Sequence, residues 1–195
     1  DFIWEARTRV DCVDQELLSL MKRAGCYRLS FGIESGSEKV LKSMNKGINL
    51  EKVKEVFFWC KREGIVTLAD FMIGNLDEEQ EDIKKSIELT KKLAPDYVQY
   101  SICSPYPGTP LYGMGLSCGL IKSDVWLNFA KNPDVNFNSP MWTQNFTEDE
   151  LIKITASAYR AFYMRPSFIL KQFLKINSLD HFKTLTRGAF GMLRK

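Results

Sequence analysis

One stretch limits the possible folds more than any other: Tyr27 to Gly47, YRLSFGIESGSEKVLKSMNKG. Its apolar part, Arg28 to Ile33, reads as a strand that stops at Glu34-Ser35-Gly36-Ser37, and Glu38 to Met44 follows with helical spacing. Ser35 and Glu38 have the spacing of a capping box, which predicts the helix start. Side chains alternate along a strand, so Leu29, Phe31 and Ile33 share a bulky apolar face while Ser30, Gly32 and Glu34 share a small polar one. A strand of that kind suits a parallel barrel whose interior holds a ligand, reached from the carboxyl ends of the strands. Glu34 then stands at the mouth.

The same unit recurs along the chain. Asp1 to Arg7 alternates as a first strand, and Asp14 caps a helix with Val13 stapled onto Leu18, a buried stripe of Leu17, Leu18 and Met21, and a stop at Gly25. Asn49 caps a second long helix, with Val53, Val56, Phe57 and Cys60 inward and Gly64 ending it. Ile65 to Gly74, IVTLADFMIG, reads as a strand covered on both faces, with Asp70 as its anomaly. Burying a lone carboxylate is costly, so Asp70 must be paired, protonated or aimed at a ligand. A helix follows with Ile83, Ile87 and Thr90 inward and an acidic first turn at Glu78, Glu79, Glu81 and Asp82, which suits the helix dipole. Tyr97 to Ser104 repeats the pattern, with Val98, Tyr100 and Ile102 opposite Gln99, Ser101 and Cys103.

Strands separated by helices imply parallel pairing with right-handed crossovers. The expected fold class is therefore α/β: about four parallel βα units of a partial (β/α) barrel, followed by a carboxyl-terminal helical extension. Residues 1–112 form the barrel part, 113–146 an irregular covering segment with Trp126, Phe129, Phe137, Trp142 and Phe146, and 147–195 the helical extension. Within the last, Thr147 and Glu150 form a capping box ahead of Leu151, Ile152, Thr155, Tyr159 and Phe162; Arg165-Pro166 breaks that helix, and short helices follow near 167–176 and 179–187. PYPGTPLYGMG, from Pro105, reads as a restricted loop at the mouth of the fourth strand. Four strands are too few to close a barrel, and the chain starts within a strand and without an initiator Met, so an amino-terminal part of the same protein is expected to supply the rest.

Composition narrows the classes. The longest apolar runs fall short of a membrane span of about 20 residues, and five widely spaced cysteines suit reduced thiols in a soluble, cytoplasmic protein rather than a disulfide framework or a zinc site. The net charge of +3 is concentrated at the end: residues 165–195 carry +6, leaving −3 for residues 1–164. There the basic residues interleave with apolar ones at helical spacing, so they read as solvated helix faces and no nucleic-acid partner is expected. The single histidine, His181, reads as a surface or packing residue, and the cysteines as core residues.

The site candidates are the polar residues at the four strand ends: Glu5 and Arg7, Glu34 and Ser35, Asp70, and Gln99, Ser101 and Ser104. Such a cluster binds hydroxyl and amino groups, holds a metal, or performs acid-base chemistry, and spacing alone leaves these open. A metal-dependent hydrolase using Glu5, Glu34 and Asp70, and a cluster-less binding or assembly module whose basic tail docks a partner, are the readings from other classes.

FGIESGSEKVLKSMNKG, ADFMIGNLDEEQEDI and SICSPYPGTPLY together resemble the later part of the radical S-adenosylmethionine (SAM) fold, in its cobalamin-binding branch, and the RPSFILKQFLKINSLDHF tail is similar to that branch as well. The resemblance implies cofactor contacts to SAM from Glu5, Glu34, Ser35, Lys46 and Asp70, with Ile73 and Gly74 near the adenine, and a small-molecule substrate near Gln99, Ser101, Ser104 and Tyr106. It also implies a [4Fe-4S] cluster, a reductant such as flavodoxin or ferredoxin, possible use of cobalamin, and radical chemistry such as oxidative cyclisation or methylation in tetrapyrrole or other secondary metabolism. The family's three-cysteine cluster motif is absent from this chain and belongs upstream of Asp1, so the chain alone is expected to be inactive. Asn75-Leu76-Asp77-Glu78-Glu79 stands where relatives carry a Leu-Pro-Gly-Glu-Thr type of turn.

Overall fold

A computed structural model of the chain describes residues 2–174. Its elements run β1 (Trp4–Thr8), a short 3-10 turn (Val10–Cys12), α1 (Gln15–Arg23), β2 (Cys26–Glu34), α2 (Glu38–Ser43), α3 (Leu50–Glu63), β3 (Val66–Ile73), α4 (Gln80–Leu93), β4 (Tyr97–Ile102), α5 (Pro110–Ser117), α6 (Val125–Lys131), α7 (Glu148–Tyr163) and α8 (Pro166–Phe173). The strands form one parallel sheet in the order β1-β2-β3-β4, as consecutive βα units require. This is the four-unit partial barrel with helices following it.

Local sequence decides most of the helix ends. The Asp14 carboxylate accepts from the Leu17 amide, the Asn49 side chain accepts from the Glu51 and Lys52 amides, and Thr147 and Glu150 close their capping box. Gly64 ends α3 at φ +66°, a left-handed conformation that costs a residue without Cβ nothing.

One sheet face carries the core. Leu29, Phe31 and Ile33 of β2, Ala69, Phe71 and Ile73 of β3, and Val98 and Tyr100 of β4 are buried against Leu18, Val53, Val56, Ile83, Leu151 and Phe162 from the helices. Each such large side chain stabilises the fold by about 1.5–3 kcal/mol relative to exposure. The opposite face bears Glu5, Arg7, Arg28, Ser30, Gly32, Glu34, Leu68, Asp70, Met72, Gln99 and Ser101, and all but Ser30 are half-exposed or exposed.

Several expectations are corrected. Ser35 and Glu38 do not form a capping box: α2 starts after Ser37, and the Ser35 hydroxyl is buried, accepting from the Ser37 amide at 3.1 Å and pairing with Ser86 Oγ at 3.2 Å. A tertiary partner on α4 has outcompeted the local cap. Leu17 (39 %) and Ile152 (51 %) are exposed, each one helical step, about 100°, from the buried Leu18 and Leu151. Cys103 leaves the polar face because β4 ends at Ile102; its amide donates to the Ile73 carbonyl and its side chain is buried. The 105–115 segment is not all loop: Thr109 caps α5 and Pro110 takes its first position, where a missing N–H costs nothing. The covering segment contains the short helix α6, capped by Asp124. The expected helix at 179–187 and His181 lie outside the described residues.

Candidate functional site

The half-exposed sheet face is built by register. Glu5 lies beside Arg28; Arg7, Ser30 and Leu68 form one row across three strands; Gly32, Asp70 and Gln99 form another; and Met72 lies beside Ser101. Neighbouring positions in such rows are about 4.8 Å apart. Glu5, Arg7, Glu34, Asp70, Gln99 and Ser101 therefore share one surface, whereas Ser35 and Ser104 do not.

A bulge shapes its centre. The β2–β3 register shifts between Gly32 and Glu34, and Glu34 takes φ +70°, the left-handed geometry that lets a strand absorb an extra residue. The turn folds the Glu34 carboxylate back over Gly32, where a Cβ would meet Glu34 Oε1 at 2.5 Å and Lys46 Nζ at 3.4 Å. Lys46 donates to Glu34 Oε1 at 2.9 Å, and both side chains are largely shielded. The Arg9 guanidinium donates to the Lys46 carbonyl at 3.0 Å and clasps Asp11, anchoring the segment that delivers the lysine.

Asp70 is next to Gly32 in the row, and its Oδ1 is buried without a hydrogen-bond partner. Burial pushes its carboxyl above the ordinary range; the Arg7 charge opposes that and the Glu34 charge adds to it. An acceptor held this way, beside a cation and a second carboxylate, suits a ligand that brings its own hydroxyl or amino donors.

Glu5 lies farther down the same face. It accepts from the Tyr27 hydroxyl at 2.7 Å and pairs with Arg28, and the Tyr27 bond chiefly holds its carboxyl below the usual range despite some desolvation. These partners went unmarked in the sequence because they depend on strand register, as does the role of Gly32.

The remaining predicted residues divide. Ser35 is buried in its bonds to Ser86 and Ser37. The Ile73 side chain is buried on the helix-bearing face, and Gly74, at φ +80°, lies under Leu151, with its amide donating to Glu78 Oε2 at 2.7 Å. Glu78, expected in the acidic first turn of the helix, instead precedes α4 and is fully buried, accepting from the Gly74 and Asn75 amides and so fixing the turn after β3. Gln99 and Ser101 face the open side, the latter donating to the Phe71 carbonyl at 3.2 Å. Ser104 donates to the Pro140 carbonyl at 2.8 Å, and Tyr106, 57 % exposed, packs its ring on Trp126 at 5.1 Å.

Among the described residues, no group of three or more His, Cys, Asp or Glu side chains is arranged to hold a metal ion. The donor set fits a polar organic ligand rather than a metal or an iron–sulfur cluster. It also removes the geometric basis for a hydrolase metal held by Glu5, Glu34 and Asp70. No helix among the described residues is long and apolar enough to cross a membrane.

Comparison with known proteins agrees with this fold. The sequence model of the radical SAM superfamily matches residues 5–90. An uncharacterized methyltransferase of Pyrococcus horikoshii is 31 % identical over the whole chain, which spans 40 % of that protein. The anaerobic magnesium-protoporphyrin IX monomethyl ester cyclase of Rubrivivax gelatinosus is 29 % identical over 89 % of the chain and 30 % of the cyclase. Among solved structures, the cobalamin-dependent SAM radical enzyme OxsB superposes on 96 % of the chain and 33 % of its own, with a TM-score of 0.58 at 16 % identity, a likeness of fold. The chain thus spans less than half the length of these curated relatives. In the matched strands and across these relatives, the chain is similar to the radical SAM superfamily.

Proposed function

We propose that this chain is the later part of a longer radical SAM enzyme and supplies one wall of its SAM pocket. The observation that carries the reading is the row Gly32–Asp70–Gln99, with the Glu34–Lys46 pair folded over its glycine and the buried Asp70 Oδ1 left without a hydrogen-bond partner. Asp70 and Glu34 would accept from ribose hydroxyls. Lys46 would pair with the methionyl carboxylate and Glu5 with its amino group, charge-assisted contacts of the stronger kind. Ser35 would act through the turn it fixes, and Ile73 and Gly74 through backbone shape at the end of β3. Gln99, Ser101, Ser104 and Tyr106 would border the substrate.

When bound at a [4Fe-4S] cluster, SAM supplies radical or methyl-transfer chemistry. The described residues offer no ligand set for the cluster, which would come from the same protein's upstream part, as would any cobalamin-binding domain. The names of the relatives support methylation or cyclisation of a small molecule, tetrapyrroles included; a flavodoxin- or ferredoxin-like reductant would supply the electron.

Anaerobic reconstitution of the full-length protein with iron and sulfide tests this reading. Reductant-dependent conversion of SAM to 5′-deoxyadenosine or S-adenosylhomocysteine is expected. A fully reconstituted cluster that yields neither product would overturn it.

A further inference from the structure

β4 is an edge strand, and its outer edge carries an unusual partner. In a strand, the N–H and C=O groups of alternate residues point to the same side. Those of Val98 and Tyr100 point away from β3, where a fifth strand would lie. Instead, the Tyr163 hydroxyl accepts from the Val98 amide at 3.0 Å and donates to the Val98 carbonyl at 2.8 Å. The Tyr159 hydroxyl does the same for Tyr100, with both bonds at 3.0 Å. A hydroxyl can donate once while accepting, so each tyrosine satisfies both backbone groups of one residue.

The match of repeats explains the arrangement. Tyr159 and Tyr163 are four residues apart on α7, about 6 Å along the helix axis. Val98 and Tyr100 are two residues apart on β4, about 6.6 Å. With α7 antiparallel to β4, one helix face therefore keeps step with the strand. The two tyrosine rings stack at 6.2 Å with 19° between their planes, and the Tyr100 ring meets Tyr159 edge-on at 5.3 Å, which holds both hydroxyls in place. Burial pushes the Tyr163 hydroxyl above its ordinary range, so it keeps the proton that the Val98 carbonyl accepts.

We propose that Tyr159 and Tyr163 act as a side-chain surrogate for a fifth strand: they end the sheet at β4, close that edge to pairing with another chain, and fix the register of the intervening Gln99 and of Ser101 on the open face. Unpaired edges are templates for strand addition, and natural sheets commonly blunt them with charge, proline or a bulge. Here two neutral hydroxyls do it without breaking the strand. The tyrosines are positioning residues, because they reach the open face only through the β4 backbone. This inference is independent of which ligand that face binds.

Residue-resolved amide hydrogen exchange by NMR tests it, with Tyr159→Phe and Tyr163→Phe prepared separately so that each ring, and hence the packing, is kept. After subtraction of any change common to all four strands, Tyr159→Phe is expected to speed exchange at Tyr100 and Tyr163→Phe at Val98, each by about two- to tenfold, the worth of one net hydrogen bond. Neither variant should speed the other's amide as much. Unchanged exchange at both amides, or an equal acceleration throughout the sheet, would overturn the proposal.

Discussion

Lys46 Nζ lies 2.9 Å from Glu34 Oε1 across a bulge in which Glu34 itself is left-handed at φ +70°. The backbone strain and the ion pair are therefore coupled, since the strained turn is what aims the carboxylate at the lysine. Left-handed geometry costs a residue with a Cβ about 1–2 kcal/mol, and a shielded ion pair offsets a cost of that size. Lys46→Met should destabilise the fold by about 1–2 kcal/mol. Adding Glu34→Gly in that background should return about 1 kcal/mol by relieving the turn. Urea denaturation of the single and double variants measures both effects, and further loss in the double variant would argue against the coupling.

Gly32 has no positive φ to justify it, and its role is space. A Cβ there would meet the far ends of the Glu34 and Lys46 side chains, which can swing away, so Gly32→Ala should leave the denaturation midpoint nearly unchanged while displacing the pair. The full-length enzyme carrying Gly32→Ala should show an increased KM for SAM.

Gly36 makes the contrasting case. Its Cβ would meet the Lys85 carbonyl oxygen at 2.6 Å and the Ser86 Cα at 2.8 Å, both backbone, so β2 and α4 would have to separate. Gly36→Ala should cost about 2–3 kcal/mol. Ser86→Ala, which strands the Gly36 amide now bonded at 2.8 Å, should cost about 1–3 kcal/mol. Thermal melts distinguish these losses from the near-silent Gly32→Ala.

Two aspartates respond oppositely to pH. Asp82 is buried; desolvation pushes its carboxyl up, but bonds from Ser37 Oγ at 2.7 Å, Lys39 at 3.0 Å, the Glu79 amide and Lys85 outweigh that and hold it well below the usual range. Its stabilisation is therefore present above its unfolded value near 3.9 and lost as pH falls below about 4. Asp70 is raised, chiefly by burial, so its contribution is favourable below about 4 and disappears as pH rises through its folded value. At pH 7, Asp82→Asn should destabilise and Asp70→Asn should stabilise. The Asp82→Asn deficit should shrink in denaturation curves taken toward pH 3.

The elements were legible where the signal was local. Asp14, Asn49, Gly64 and the Thr147–Glu150 box set helix ends because cap and amide are a few residues apart, and the alternation in β2 and β3 separated the helix-bearing face from the open one. Asp70 was legible as an anomaly and remains one, with an unpartnered oxygen. What escaped depended on contacts between distant residues. Ser35 reads as a cap until Ser86, 51 residues away, claims its hydroxyl, and Glu78 reads as part of an acidic first helical turn until the turn after β3 closes around it. Register also decides that Tyr27 and Arg28 take Glu5, and that a helix in step with β4 brings Tyr159 and Tyr163 to its edge.

If the sheet face is only one wall of a pocket, the 195-residue chain alone should bind SAM weakly or not at all. Calorimetry on the isolated chain is expected to show no saturable heat at micromolar ligand. Micromolar affinity would mean that these four strands suffice.

The most direct measurement is the affinity of the full-length, cluster-reconstituted protein for SAM, determined anaerobically for the wild type and for Asp70→Asn. Removing one charged acceptor from a ribose hydroxyl should weaken binding by about tenfold or more, in a variant that is no less stable than the wild type at pH 7. Unchanged affinity in a folded, fully reconstituted Asp70→Asn enzyme would contradict the assignment of this sheet face to the SAM pocket.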